Sequence, residues 1–159
     1  MKLEKLIQQA RACIQRGTGY LSHGNDGTIY AVNEKVILKL HNGGYHGCPQ
    51  KSAEHEYALG TELYQQRVQV PEYIGLFSAP LRKQECWGVF MERIHGVEPS
   101  GLPSTLQLEA QRQYQEQKKQ VDRLGYLISK DSKKINSNTL FDQRRRKLFL
   151  FDLVQWKRK

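Results

Sequence analysis

A lysine inside an otherwise aliphatic run, Val36-Ile37-Leu38-Lys39-Leu40, is the residue whose placement most demands a chemical reason. An unpaired ammonium among four aliphatic neighbours is costly, so a carboxylate partner is expected. Glu56, in the next helical pattern, is the first choice, with Glu54 and Glu62 as competitors. Upstream, Ser22-His23-Gly24-Asn25-Asp26-Gly27-Thr28-Ile29 places a glycine turn between two strand patterns. Such glycines let backbone amides come close to phosphate oxygens, and the lysine adds a fixed positive charge. Near the carboxyl end, Leu148-Phe149-Leu150-Phe151-Asp152-Leu153 sets an acid at the end of an apolar strand pattern. A buried, unpaired carboxylate is expensive there, whereas a magnesium ligand is satisfied. A phosphate cradle, a cation and a metal acid are parts that phosphoryl transfer requires.

The elements that must carry these residues follow from periodicity. Leu3, Leu6, Ile7, Ala10 and Ile14 recur at helical spacing, and Gly17 stands where a helix would stop. From Tyr20 to Leu40 the pattern is strand, glycine turn, strand, the Asn33-Glu34 turn, strand. A Gly-rich loop over 41–51 and a helix capped by Ser52 and running to Gln66 come next. Strands are expected over Val68 to Phe77 and Trp87 to Ile94, with a turn region from Ser78 to Glu85 between them. Pro99 to Pro103 reads as a linker, dividing the chain into 1–98 and 99–159. A helix then starts after Ser104, with Gln107 in the capping-box position and Leu106, Ala110, Val121 and Leu124 as the buried stripe. Its other face, Gln-rich from Gln107 to Gln120, is expected to be surface. Short apolar segments at Tyr126–Ile128, Thr139–Phe141 and Leu148–Leu153 complete the pattern.

In this order, the segments resemble the protein-kinase-like fold from about Tyr20 to Trp156. The resemblance implies an α+β architecture, with an antiparallel N-lobe sheet and one key helix, plus a much reduced C-lobe. Gly24 and Gly27 match the second and third glycines of a kinase lid, with Ser22 in place of the first. Asn25 and Asp26 form its tip, and Ile29 covers the adenine. Val89-Phe90-Met91-Glu92-Arg93-Ile94-His95-Gly96 resembles the hinge, with Met91 gating the pocket and backbone groups of Glu92 and Ile94 meeting adenine. Ser129-Lys130-Asp131-Ser132-Lys133-Lys134-Ile135-Asn136 looks like the catalytic loop. There the resemblance makes Asp131 the orienter of the substrate hydroxyl, Lys133 the neutraliser of the moving phosphoryl, and Asn136 a metal ligand. Asn138, in Asn-Thr-Leu-Phe-Asp, is a rival for that last role. Asp152 resembles the metal aspartate of Asp-Phe-Gly, although Leu153 and Val154 replace Phe and Gly.

The implied activity is ATP- and Mg2+-dependent phosphorylation of Ser or Thr hydroxyls on a protein, by a monomer. Only Leu153 to Lys159 follow the metal aspartate, so an activation segment and most of the lower lobe are missing from the match. Very short kinases of this kind occur among bacterial effectors that enter eukaryotic cells, including a family that modifies a host heat-shock chaperone. The resemblance therefore extends to virulence, and to a cytoplasmic protein exported into a host without a cleavable signal peptide. Other classes stay open at this point: a pseudokinase or nucleotide-binding module, and a small-molecule phosphotransferase.

Composition narrows the field differently. The 159 residues suffice for one domain or a small two-lobed unit. No apolar run approaches the roughly 20 residues of a membrane span. Three cysteines at unrelated spacings, Cys13, Cys48 and Cys86, read as reduced thiols. A formal charge of +9 invites a nucleic-acid reading, yet the positives cluster in Lys118-Lys119, 130–134, 144–147 and 157–159. An anionic ligand or acidic protein fits that charge as well, and DNA is not expected as a partner. His46, Cys48 and His55 fall short of a zinc signature, so a surface loop is expected there.

Overall fold

The computed structural model describes residues 2–44, 46–81, 83–128, 135 and 138–159. It is an α+β protein, with a five-stranded antiparallel sheet and three α-helices among the described residues. The chain divides into two compact units, one of residues 1–61 with 72–93 and the other of residues 62–71 with 94–159.

The first unit opens with α1 (Leu3–Arg16), which ends at Gly17 in the left-handed region at φ 66°. Strands β1 (Tyr20–Gly24), β2 (Gly27–Ala31) and β3 (Val36–His41) follow, then α2 (Pro49–Gln65), β4 (Tyr73–Leu81) and β5 (Gln84–Glu92). The sheet order is β1-β2-β3-β5-β4, so β3 lies in the middle. That position explains its nearly unbroken apolar run. On one face Val36 and Leu38 join Phe90, Phe77, Ala79 and Leu81, with Leu6 and Ala10 of α1 packed into the same cluster. The alternate residues of β3, Ile37, Lys39 and His41, point to the opposite face by strand alternation.

Several boundaries differ from the periodicity. α2 begins at Pro49 rather than at Ser52, which lies inside the helix and is buried. Proline suits a first helical turn because its missing N–H has no partner there anyway. Strands β4 and β5 run through the expected turn region at 78–85, pairing Ser78 with Trp87 and Leu81 with Gln84. β4, which contains Pro80, is an edge strand, where a missing amide is tolerated. Val68 and Val70 are buried but not strand.

In the second unit, the stretch expected as a linker forms a 3-10 turn at Pro99–Gly101 with Pro99 buried. Next comes α3 (Ser104–Arg123), followed by β6 (Tyr126–Leu127), β7 (Thr139–Asp142), β8 (Lys147–Leu150) and β9 (Lys157–Arg158). β7 and β8 form a hairpin, and β6 pairs with β9. Ser104 is the first helical residue and not a cap; Gln107 reaches back instead to the Leu102 carbonyl at 2.8 Å.

The polar face of α3 is the larger surprise, because Gln113 and Gln117 are buried. Gln113 donates through Nε2 to the Arg146 carbonyl at 2.9 Å and accepts the Leu148 amide through Oε1 at 2.9 Å. One turn later Gln117 accepts the Gln69 amide at 2.8 Å, and the Gln69 carbonyl accepts the Leu150 amide at 2.8 Å. These side chains fasten the β7–β8 hairpin to the helix and so set where the residues after Leu150 begin. In Gln113→Ala the buried Leu148 amide loses its acceptor, a loss of about 1–3 kcal/mol. Urea unfolding followed by circular dichroism should show that loss as a lower midpoint with an unchanged slope.

Candidate functional site

Lys39 is 7 % exposed and Glu56 is 1 % exposed. Lys39 Nζ donates to Glu56 Oε2 at 2.9 Å, joining the central strand to α2. Glu56 has two further neighbours. Tyr73 of β4 donates its hydroxyl to Oε1 at 3.2 Å, and His41 Nε2 lies 3.0 Å from Oε2, the oxygen that Lys39 uses. Burial alone would push this carboxyl up, but the Lys39 charge and the His41 contact outweigh it, leaving a value lowered from 4.5 to about 2.

The competitors for Lys39 are occupied elsewhere. Glu54 accepts from Gln50 at 2.9 Å, and Glu62 accepts from Arg158 at 2.7 Å. Gly60 explains how Tyr73 reaches Glu56. It stands one turn further along α2, on the same side, and a Cβ there would lie 2.2 Å from the Tyr73 ring.

The glycine turn is a two-residue hairpin, with Gly24 opposite Gly27 and Asn25-Asp26 at its tip. Ile29 of β2 pairs in register with Lys39, and Val89 of β5 pairs with it from the other side. The tip is fastened down: the Asn42 amide donates to the Asp26 carbonyl at 3.2 Å, and the Asn42 side chain donates to the Asn25 carbonyl. Gly27 is also required by packing, because a Cβ would lie 1.8 Å from the Leu40 carbonyl oxygen. Gly24 has open space beside it. Of the hinge residues, Met91 is buried and pairs with Ile37, and the Glu92 amide donates to the Glu72 carbonyl at 2.8 Å. Ile94 is buried and begins the second unit.

Asp152 lies past the end of β8 in the left-handed region, at φ 59° and ψ 57°, immediately before a 3-10 turn at Leu153–Gln155. Asn138, just before β7, also has positive φ, at 57°, and its carbonyl accepts the Phe151 amide at 2.8 Å. Asn138 and Asp152 therefore stand at the same open end of the β7–β8 hairpin. Non-glycine residues held in this backbone region are strained and concentrate at functional positions. Oxygen donors of these types suit a hard cation such as Mg2+. Asp131, Lys133 and Asn136, with the rest of 129–134, lie outside the described residues.

Elsewhere, the His46 and His55 rings lie tilted against each other with centroids 4.4 Å apart, but no described group of three His, Cys, Asp or Glu side chains converges. No helix among the described residues is long and apolar enough to cross a membrane. Comparison with protein-family models finds no match, and comparison with curated proteins finds none either.

Sequence reasoning did not select His41 or Tyr73. The signal for His41 was present: in a strand, a residue two places from Lys39 shares its face. For Tyr73 the only hint is the Glu56–Gly60 spacing on α2.

Two outcomes follow. Because the Glu56 value is lowered in the folded state, its stabilisation is present above the ordinary value of 4.5 and is lost as pH falls towards about 2. The stabilisation amounts to about 3 kcal/mol. Glu56→Gln, which removes the carboxylate charge that the buried Lys39 ammonium faces, should cost about 3–5 kcal/mol at neutral pH. Urea titrations should show the gap between the two proteins narrowing below about pH 4. Separately, Gly60→Ala should destabilise by about 1–3 kcal/mol through the clash with the Tyr73 ring. Tyr73 fluorescence or ring NMR shifts should move with it.

Proposed function

We propose that the protein is an ATP- and Mg2+-dependent protein kinase acting on Ser or Thr hydroxyls. The observation that carries this reading is the buried Lys39–Glu56 pair between the central strand and α2. A buried ion pair is a weak source of stability, since desolvation offsets most of its attraction. It is better explained as a device that fixes an ammonium for a polyphosphate. In this reading Lys39 neutralises phosphate oxygens, and Glu56, steadied by Tyr73, orients it. The β1–β2 hairpin, held at its tip by Asn42, covers the phosphates, with Ile29 and Met91 against the base.

On the second unit, Asp152 and Asn138 would hold Mg2+, which when bound draws charge from the phosphates. Both are oxygen donors at one end of a hairpin fixed to α3 by buried glutamines, so the donor set fits the ion. Asp131 would orient the attacking hydroxyl and Lys133 would stabilise the transferring group, as the family resemblance implies. Catalysis of this type is mostly positioning and charge stabilisation.

Incubation with labelled ATP, Mg2+ and a cell lysate should label an acceptor protein; in a eukaryotic lysate a heat-shock chaperone is the first candidate. Asp152→Asn should abolish labelling with folding intact, and Lys39→Met should lower it by about 100-fold or more. Full turnover in both variants would reject the assignment. Binding of ATP without transfer by the wild type would favour a nucleotide-binding module.

A further inference from the structure

The lysines of α3 have no part in the proposed catalysis. Lys118 and Lys119 lie where the helix runs past β6, and Asp122 follows one turn after Lys118. With Tyr126, Leu127 and Ile128 they line a cavity of 370 Å³. Helix and strand both belong to the second unit, so the cleft lies within that unit.

Its charge is of one sign. Asp122, the acid that lines it, already accepts from Lys159 Nζ. Lys118 and Lys119 form no ion pair among the described residues. The register of β6 with β9 sets Lys157 directly opposite Leu127. Residues so paired share a face of the ribbon, which brings a further exposed ammonium beside the leucine.

Between these charges the lining is aliphatic. Leu127 is 51 % exposed, and Ile128 is half-buried. The Tyr126 ring is buried, with the Arg158 guanidinium 5.5 Å over its face and Arg158 held by Glu62 at 2.7 Å. A nucleic-acid base therefore finds no exposed aromatic face here to stack on. A leucine exposed on its own needs no explanation. One set in a cleft with lysines around it suits a ligand that is apolar and acidic at once.

We propose that this cleft docks an acidic, leucine-bearing segment of a partner protein. An aliphatic side chain of the segment seats on Leu127 and Ile128, and its flanking carboxylates meet Lys118, Lys119 and Lys157. The volume is near the lower end of ligand clefts, which span about 300–1,000 Å³, so it takes a few side chains and not a whole domain face. Exposed ion pairs are individually weak, so the seated leucine supplies the hold. The lysines supply selectivity, and the formal charge of +9 raises the rate of encounter with an acidic partner. No residue of the cleft is one of the phosphate or metal positions, so the docking stands independently of the kinase reading.

The test is fluorescence anisotropy of the full chain with the dye-labelled peptide Glu-Glu-Leu-Glu-Glu-Leu-Glu-Glu. One control peptide carries Gln for every Glu, and another carries Ala for every Leu. The acidic leucine peptide should bind more tightly than either control, and severalfold more weakly when salt is raised from about 0.1 M to about 1 M. Combining Lys119→Glu with Lys157→Glu should weaken binding by about tenfold or more. Leu127→Ser should weaken it severalfold. These three side chains are exposed, and circular dichroism checks that each variant keeps its fold.

Methyl NMR of the wild type with unlabelled peptide needs no variant. The Leu127 and Ile128 methyls should shift on binding. No binding of the acidic leucine peptide, equal affinity for all three peptides, or shifts that miss Leu127 and Ile128 would overturn the inference. So would undiminished binding by the variants. A single-stranded RNA oligonucleotide is the competing probe. If it binds, loses affinity in the double charge reversal, and the peptide does not bind, the surface belongs to nucleic acid and the docking proposal falls.

Discussion

A single carboxylate, that of Glu56, organises the first unit. It is almost fully buried, it accepts from Lys39 and Tyr73, and it meets His41. A charge in that position is tolerated only with such partners, because an uncompensated buried ion costs several kcal/mol. Each partner in turn ties one piece of structure to α2: Lys39 and His41 tie the middle strand, and Tyr73 ties β4. The same contacts that make the charge affordable therefore set the register of helix against sheet.

The opposite face of the sheet is built on another principle. There α1 covers an apolar cluster of Leu38, Phe77 and Phe90 with Leu6 and Ala10. Burial of this kind is strong but not directional. It can hold a sheet together without specifying which side chain meets which. Dividing the labour between faces leaves one for cohesion and the other for a charge arrangement that has only one good geometry.

The second unit uses neutral hydrogen bonds for a comparable purpose. Gln113 and Gln117 satisfy backbone groups of the β7–β8 hairpin and of residue 69, while Ala110, Tyr114 and Val121 supply the apolar contact. An amide side chain offers a donor and an acceptor together, so one glutamine can meet both a carbonyl and an N–H of a neighbouring strand. The hairpin end that bears Asn138 and Asp152 is fixed by that anchoring. Both residues hold left-handed backbone there, which only surrounding structure can impose on a non-glycine residue.

Much of the secondary structure was legible in the amino-acid order. The helix at 3–16, the strands around Lys39 and the hairpin ahead of Asp152 follow from spacing and glycine placement, which are near-neighbour properties. So does the need for a carboxylate beside Lys39, since a buried ammonium cannot stand alone. For the 78–85 stretch and the glutamines of α3, local rules pointed the wrong way; the pairing of β4 with β5 and a hairpin's orphaned backbone groups decided the outcome. Which of Glu54, Glu56 and Glu62 would answer Lys39, and that His41 and Tyr73 would share it, depended on contacts between residues far apart in the chain. Periodicity reports the face of an element, but only packing decides what that face meets.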